Sequence, residues 1–213
     1  MSLGPDGVFR SPREKLAFDR KKSRWVALAA IVLVVLVVLV DLPSHVTLAD
    51  RQGDLRTFQK SIATDLAGCN AGLSDSLSAY SGIASGSSNQ VSIANQIMTN
   101  DEPVCTIAGN SDIYDLATMA PPNTLAHFGL EFATNDAATW ADPNAAQMIK
   151  DAQAILANRG DLGAIADIRS RFQTMQKLLA ETNSTLHTAA VQLNMNLAPI
   201  TLDGLYKLPA SLR

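Results

Sequence analysis

Apolar and polar positions divide the chain into one lipophilic segment near its start and a long amphipathic remainder. Sixteen consecutive uncharged residues run from Trp25 to Val40, and twelve of them are Val, Leu or Ile. On insertion scales, twelve such residues contribute about −4 to −7 kcal/mol to membrane partitioning. The pattern predicts a transmembrane helix over residues 25–41. A cleaved signal peptide is the alternative, with Thr47-Leu48-Ala49 as its cleavage site, but the 24 residues before the apolar run are too many for it.

Charge sets the predicted orientation of this helix. Residues 1–24 hold seven Lys or Arg against three Asp or Glu, a net charge of +4, whereas the rest of the chain carries −7. Basic flanks stay in the cytoplasm and bind anionic lipid. We therefore expect a single-pass protein of the inner (plasma) membrane, with a cytoplasmic basic tail at 1–24 and an extracytoplasmic domain at 42–197. Membrane lipids account for the basic tail, so no nucleic-acid partner is expected.

Helical spacing dominates the chain beyond residue 47. Apolar residues at intervals of three and four predict a long helix from Leu48 to about residue 84. A second long helix, from Leu162 to Met195, is predicted by a heptad seam that we expect to pack on the first. The seam comprises Ile165, Ile168, Phe172, Met175, Leu179, Thr182, Leu186, Ala189 and Leu193.

Four shorter helices are predicted between the two long ones. The first runs from Val91 to Met98, and the second is capped by Ser111-Asp112. Asn123 caps a third, which carries Leu125, Phe128 and Phe132, and Asp142-Pro143 opens a fourth that ends near Gly160. Strict alternation of polar and apolar residues is absent, so no sheet is expected. The predicted fold class is all-α, a helical bundle built on two long helices.

The chain contains two cysteines, Cys69 and Cys105. On the oxidising side of a membrane a disulfide between them is the natural expectation. Two buried thiols are the alternative, because Cys69 also falls on the apolar stripe of the first long helix.

The C-terminal segment, 198–213, has prolines and a glycine spaced so as to forbid a helix, yet it keeps five large apolar residues. Such residues need an apolar surface to cover them, either on this domain or on a neighbouring protein, and the sequence leaves both options open. The candidate partner-docking residues are Leu202, Leu205, Tyr206, Leu208 and Leu212.

Residue types that carry catalysis or bind metals are sparse. His127 and Glu131 are one helical turn apart, but one such pair supplies at most two ligands and is usually an ordinary surface pair. Asp112 and Asp115 are interpreted as charges at a helix start. No nucleophile motif or phosphate-binding loop accompanies the serines and glycines. We therefore predict no enzyme activity, no catalytic or metal site, no cofactor and no small-molecule substrate.

A basic tail, a Val/Leu span and an Ala/Asp/Thr-rich helical outer domain are together typical of small envelope proteins of actinobacteria. In this layout the chain resembles the single-pass accessory subunits of actinobacterial cytochrome bcc-aa3 respiratory supercomplexes. The resemblance implies a non-catalytic subunit whose partners are integral membrane proteins. An extracytoplasmic four-helix sensor or ligand-binding module is the alternative, although its cytoplasmic part would be too short for an output domain. An envelope enzyme with a site assembled from scattered residues is a third possibility.

Overall fold

Residues 46–83, 87–159, 161–202, 208–209 and 212 are described by a computed structural model. The predicted cytoplasmic tail, 1–24, and the predicted transmembrane helix, 25–41, lie outside these residues. Within the described ranges, no helix combines the length and the apolar character that crossing a bilayer requires.

Six α-helices and three short helical turns make up the described part of the chain, which contains no β-strand. The prediction of an all-α fold is therefore confirmed. Single turns of 3₁₀-helix occur at Glu102–Cys105 and Asn123–Leu125, and a π-helical turn occurs at Trp140–Ala145. The α-helices are α1 (Leu48–Ser81), α2 (Ser88–Asp101), α3 (Ser111–Thr118), α4 (Glu131–Thr139), α5 (Ala146–Ala157) and α6 (Leu162–Gln192).

The first long helix, α1, begins at a capping box. The Thr47 hydroxyl oxygen accepts a hydrogen bond from the Asp50 amide, and the Asp50 carboxylate accepts one from the Thr47 amide. Two otherwise unpaired amides are thus satisfied at the helix start. The predicted apolar stripe is buried in the domain core, as expected for one face of an amphipathic helix. Its buried members are Leu55, Phe58, Ile62, Leu66, Cys69, Leu73 and Leu77.

The second long helix, α6, begins where Asp161 caps the Ala164 amide, and it ends three residues before the predicted Met195. The heptad seam faces the core. Ile165, Phe172 and Leu179 are partly buried against it, and the fully buried members are Ile168, Met175, Thr182, Leu186, Ala189 and Leu193.

The predicted packing partner of α6 was wrong. Helix α6 packs mainly on α4, the π-helical turn and α5, and has few contacts with α1. The chain after α6 is bonded to both long helices: Gln52 of α1 donates to the Leu193 carbonyl at 2.8 Å, and Asn183 of α6 bonds the backbone of Ile200. The residues after α6 are therefore attached to both long helices.

The third predicted short helix is interrupted. Gly129 adopts φ +64°, a conformation that side-chain-bearing residues rarely adopt, and this ends the turn around Asn123–Leu125 before α4 begins at Glu131. By contrast, the predicted helix start at Asp142-Pro143 coincides with a kink, since Asp142 has extended backbone angles of φ −120° and ψ 118°, and α5 begins shortly after it at Ala146.

Candidate functional site

A disulfide joins the middle of α1 to the 3₁₀ turn that follows α2. Cys69 and Cys105 are bonded, with a Cα–Cα distance of 4.6 Å, and both residues are fully buried. The predicted disulfide is confirmed. The two cysteines are 36 residues apart in sequence, and the loop between them contains the C-terminal part of α1 after Cys69 and all of α2.

The chain around Cys105 is tied to two further elements. Asp142 of the π-helical turn accepts a hydrogen bond from the Ile107 amide at 2.9 Å. Lys150 of α5 forms an ion pair with Glu102 at 2.9 Å. Segment 102–110 therefore connects α1, the π-helical turn and α5, and we call it the junction segment.

The junction segment is also closely packed within itself. Asn110 donates from its side-chain amide to the Val104 carbonyl at 2.7 Å. A Cβ placed on Gly109 would lie 2.5 Å from the Pro103 carbonyl oxygen and 2.8 Å from the Thr106 hydroxyl. Glycine is required here by the close approach of the backbone. Such an arrangement holds the connected helices at fixed positions.

A buried polar contact joins α1 to the end of α2. The Ser76 hydroxyl is fully buried and donates to the Asp101 carboxylate at 3.0 Å. Burial raises the pKa of Asp101, Asp75 raises it further, and the hydrogen bond from Ser76 opposes this shift. A Cβ on Gly72 would lie 3.3 Å from Asp101, so the two helices are in close contact at this point.

Three carboxylates come together where α3 packs on α1. The pKa of Asp65 is raised by burial and then by the charges of Asp112 and Asp115. Asp112 lies in the first turn of α3, as predicted, but the cap is Asn110 rather than Ser111-Asp112, because the Asn110 side chain accepts a hydrogen bond from the Asp112 amide at 2.9 Å. The sequence holds a signal for this acidic surface, because the 89 residues from Ser61 to Ile149 contain nine Asp or Glu and no Lys or Arg. The position of each carboxylate within its own helix does not reveal this surface.

Three of the five candidate partner-docking residues are buried in the domain itself. Leu202, Leu208 and Leu212 are 3%, 6% and 0% exposed, so they cover this domain's own core and are unavailable for docking. For these three, folding back is the correct alternative. Leu205 and Tyr206 lie outside the described residues.

Hydrogen bonds from the helices hold the C-terminal segment in place. The Asn183 side chain accepts from the Ile200 amide at 2.7 Å and donates to the Ile200 carbonyl at 2.9 Å. Gln59 donates to the Ala198 carbonyl, and Arg169 donates to the Leu212 carbonyl at 3.1 Å. Sequence pattern could not locate these bonds, because they join residues far apart along the chain.

His127 and Glu131 do not form the expected helical pair. Both are exposed, and Gly129 breaks the helix between them. Across the ranges that the structure describes, no group of three or more His, Cys, Asp or Glu is arranged to hold a metal ion.

Several large apolar side chains lie on the domain surface and are candidate points of contact with other molecules. They are distributed over several helices. The most exposed are Phe132 at 63%, Leu162 at 78%, Val191 at 58%, Tyr114 at 54%, Leu48 at 52% and Ile93 at 52%.

No family model matches the chain, and neither a curated protein nor a solved structure matches it.

Proposed function

We propose that the chain is a non-catalytic, single-pass accessory subunit of a larger bacterial membrane complex, of the kind that a respiratory supercomplex represents. In this proposal the helical domain lies outside the cytoplasm and bridges or stabilises integral membrane partners. The observation that carries the proposal is the Cys69–Cys105 disulfide, because such bonds persist in oxidising compartments. The apolar run from Trp25 to Val40 and the basic residues before it agree with that placement.

The length and the cross-links of α1 support a role as a spacer. Helix α1 has 34 residues and is therefore about 51 Å long. The disulfide and the junction segment attach α1 to the shorter helices, so in this proposal the domain holds two partners at a fixed distance from each other. Exposed aromatic side chains such as Phe132 and Tyr114 are of the type that protein interfaces favour.

The arrangement of the long helices favours this role over the sensor alternative. A four-helix sensor relays a signal when long helices slide or rotate against each other along their length. Here the C-terminal segment is bonded to α1 through Gln59 and to α6 through Asn183, and α6 packs on the short helices. These contacts oppose sliding.

The proposal is tested by purifying the tagged full-length chain from its native membrane in a mild detergent. We expect large integral membrane proteins to co-purify in a fixed ratio. The variant Phe132→Glu removes an exposed apolar contact without touching the core, so it serves to locate the interface. A second experiment treats spheroplasts, whose inner membrane is intact, with external protease, which should digest the helical domain. Recovery of the chain as an isolated monomer, or protection of the domain from protease, would overturn the proposal.

A further inference from the structure

Helix α2 is held in the bundle by few buried contacts. Two of its fourteen residues, Ala94 and Met98, are buried, and it packs mainly on α1. The side chain of Gln153 in α5 donates to the Thr99 hydroxyl at 2.9 Å and to the Asn95 carbonyl at 3.3 Å. An isolated helix of this length is marginal in water, so α2 depends on these contacts. Its separation from the bundle therefore requires less free energy than unfolding of the core.

The disulfide separates the attachment of α2 from that of the other helices. Helix α2 lies wholly inside the loop that the Cys69–Cys105 bond closes. When α2 leaves α1, the junction segment stays covalently joined to α1, and its Glu102 stays paired with Lys150 of α5. Regions with few buried contacts can open while the remainder of a domain stays folded. Helix α2 can thus open locally, with both ends of its loop held in place.

One carboxylate lies at the contact between α2 and α1. Asp101 is the last residue of α2 and its only charged residue. The fully buried Ser76 hydroxyl donates to this carboxylate at 3.0 Å, and a Cβ on Gly72 would lie 3.3 Å from the Asp101 Cβ. The helix dipole disfavours an anion at a helix C-terminus, and partial burial adds to the cost of the charge. Ionisation of Asp101 therefore weakens the closed arrangement.

The nearest charge on α1 has the same sign as that of Asp101. Burial raises the pKa of Asp101, Asp75 raises it further, and the hydrogen bond from Ser76 opposes the shift. Protonation of Asp101 removes the repulsion and the cost of burying the charge, so it favours the closed arrangement. Charged groups on the adjoining parts of the junction segment and α5 are engaged in ion pairs: Glu102 with Lys150 at 2.9 Å, and Asp151 with Arg171 of α6 at 3.3 Å.

We propose that α2 is a pH-sensitive flap, which opens from α1 inside the disulfide-closed loop and which acidification holds closed. The closed state binds the Asp101 proton more readily than the open state does. Its stability therefore falls as the pH rises from the ordinary pKa of 3.8 through the raised pKa of the closed state, and the loss is complete at neutral pH. Opening uncovers the face of α1 around Ser76, which includes Leu73 one turn earlier. The flap does not depend on the proposed membrane placement.

Amide hydrogen exchange of the full-length chain in a mild detergent, measured by mass spectrometry at pH 7 and pH 4, tests the flap. Rates are expressed as protection factors, which remove the intrinsic effect of pH on exchange. At pH 7 the amides of α2 should be several-fold less protected than those of α6, and at pH 4 the protection of α2 should rise. Asp101→Asn should raise the protection of α2 several-fold at pH 7 and abolish its dependence on pH. Asp65→Asn is the matched control, because Asp65 is another half-buried carboxylate of α1 with a raised pKa, and it should leave α2 unchanged.

Ser76→Ala is a second variant that predicts a change of opposite sign. It removes a hydrogen bond to an ionised group and should lower the protection of α2 roughly tenfold at pH 7. The loss should be smaller at pH 4, where the bond is to a neutral carboxyl, so the dependence on pH should increase. Equal protection of α2 and α6 in the wild type would refute local opening. Protection of wild-type α2 that is the same at both pH values, or an Asp65→Asn variant that changes α2 as much as Asp101→Asn does, would refute the assignment to Asp101.

Discussion

Removal of the Cys69–Cys105 disulfide should destabilise the domain strongly. The change we consider is the double substitution Cys69→Ala and Cys105→Ala. The bond closes a loop 36 residues long, and the chain-entropy model gives about 4 kcal/mol of stabilisation at 25 °C for a loop of that length. Alanine is chosen over serine because both sites are fully buried, where a hydroxyl without a partner would add a cost of its own.

Equilibrium urea unfolding of the full-length chain in a mild detergent measures this loss. Trp140 is 1% exposed in the folded domain and should report its unfolding by fluorescence. We expect the free energy of unfolding to fall by about 4 kcal/mol. The denaturant slope should rise, because an uncrosslinked denatured chain exposes more surface.

The reduced wild-type protein provides the matched control. A reductant should weaken the wild type by a similar amount and leave the double variant unchanged. If the free energy of unfolding of the variant falls by less than about 1 kcal/mol and the denaturant slope is unchanged, the cross-link does not restrict the conformations of the denatured chain. The loop-entropy explanation is then wrong.

Three further changes test other parts of the structure. Gly109→Ala places a Cβ 2.5 Å from the Pro103 carbonyl oxygen and should lower the free energy of unfolding in urea by about 1–3 kcal/mol. The control Gly53→Ala has open space around it on α1 and should raise that free energy by up to about 1 kcal/mol, so equal effects of the two variants would contradict the close approach at Gly109. Asn183→Ala removes two hydrogen bonds to Ile200 and should accelerate amide hydrogen exchange in the C-terminal segment. Unchanged exchange there would show that apolar burial holds the segment in place without these two hydrogen bonds. The pKa of Asp65 is raised above its ordinary value of 3.8 in the folded state, so the free energy of unfolding falls as the pH rises from 3.8 through the folded-state pKa. Asp65→Asn should therefore stabilise the domain at neutral pH, and this gain should disappear below about pH 3.8, where Asp65 is protonated in both states. A gain that persists in acid would refute the electrostatic cause.

The sequence by itself determined the helical class, both long helices and the disulfide. Helices α1 and α6 were predictable because apolar residues at intervals of three and four over about thirty residues share one face only in an α-helix. Their starts are marked locally by the capping residues Thr47 and Asp161. The disulfide followed from there being two cysteines in a chain with a predicted extracytoplasmic domain. Each of these conclusions needs information from neighbouring residues or from composition.

The tertiary structure decided which surfaces meet. The heptad seam indicates that α6 has an apolar face. It does not indicate whether α1, α4 or α5 covers that face. The residues after α6 are bonded to Gln52 and Asn183, and these contacts cross sequence separations that periodicity does not record. The same holds for the acidic surface, since the repulsion between Asp65 and the carboxylates of α3 exists only once two helices are packed together. Periodicity is a property of one helix, whereas packing depends on the free energy of all of them at once.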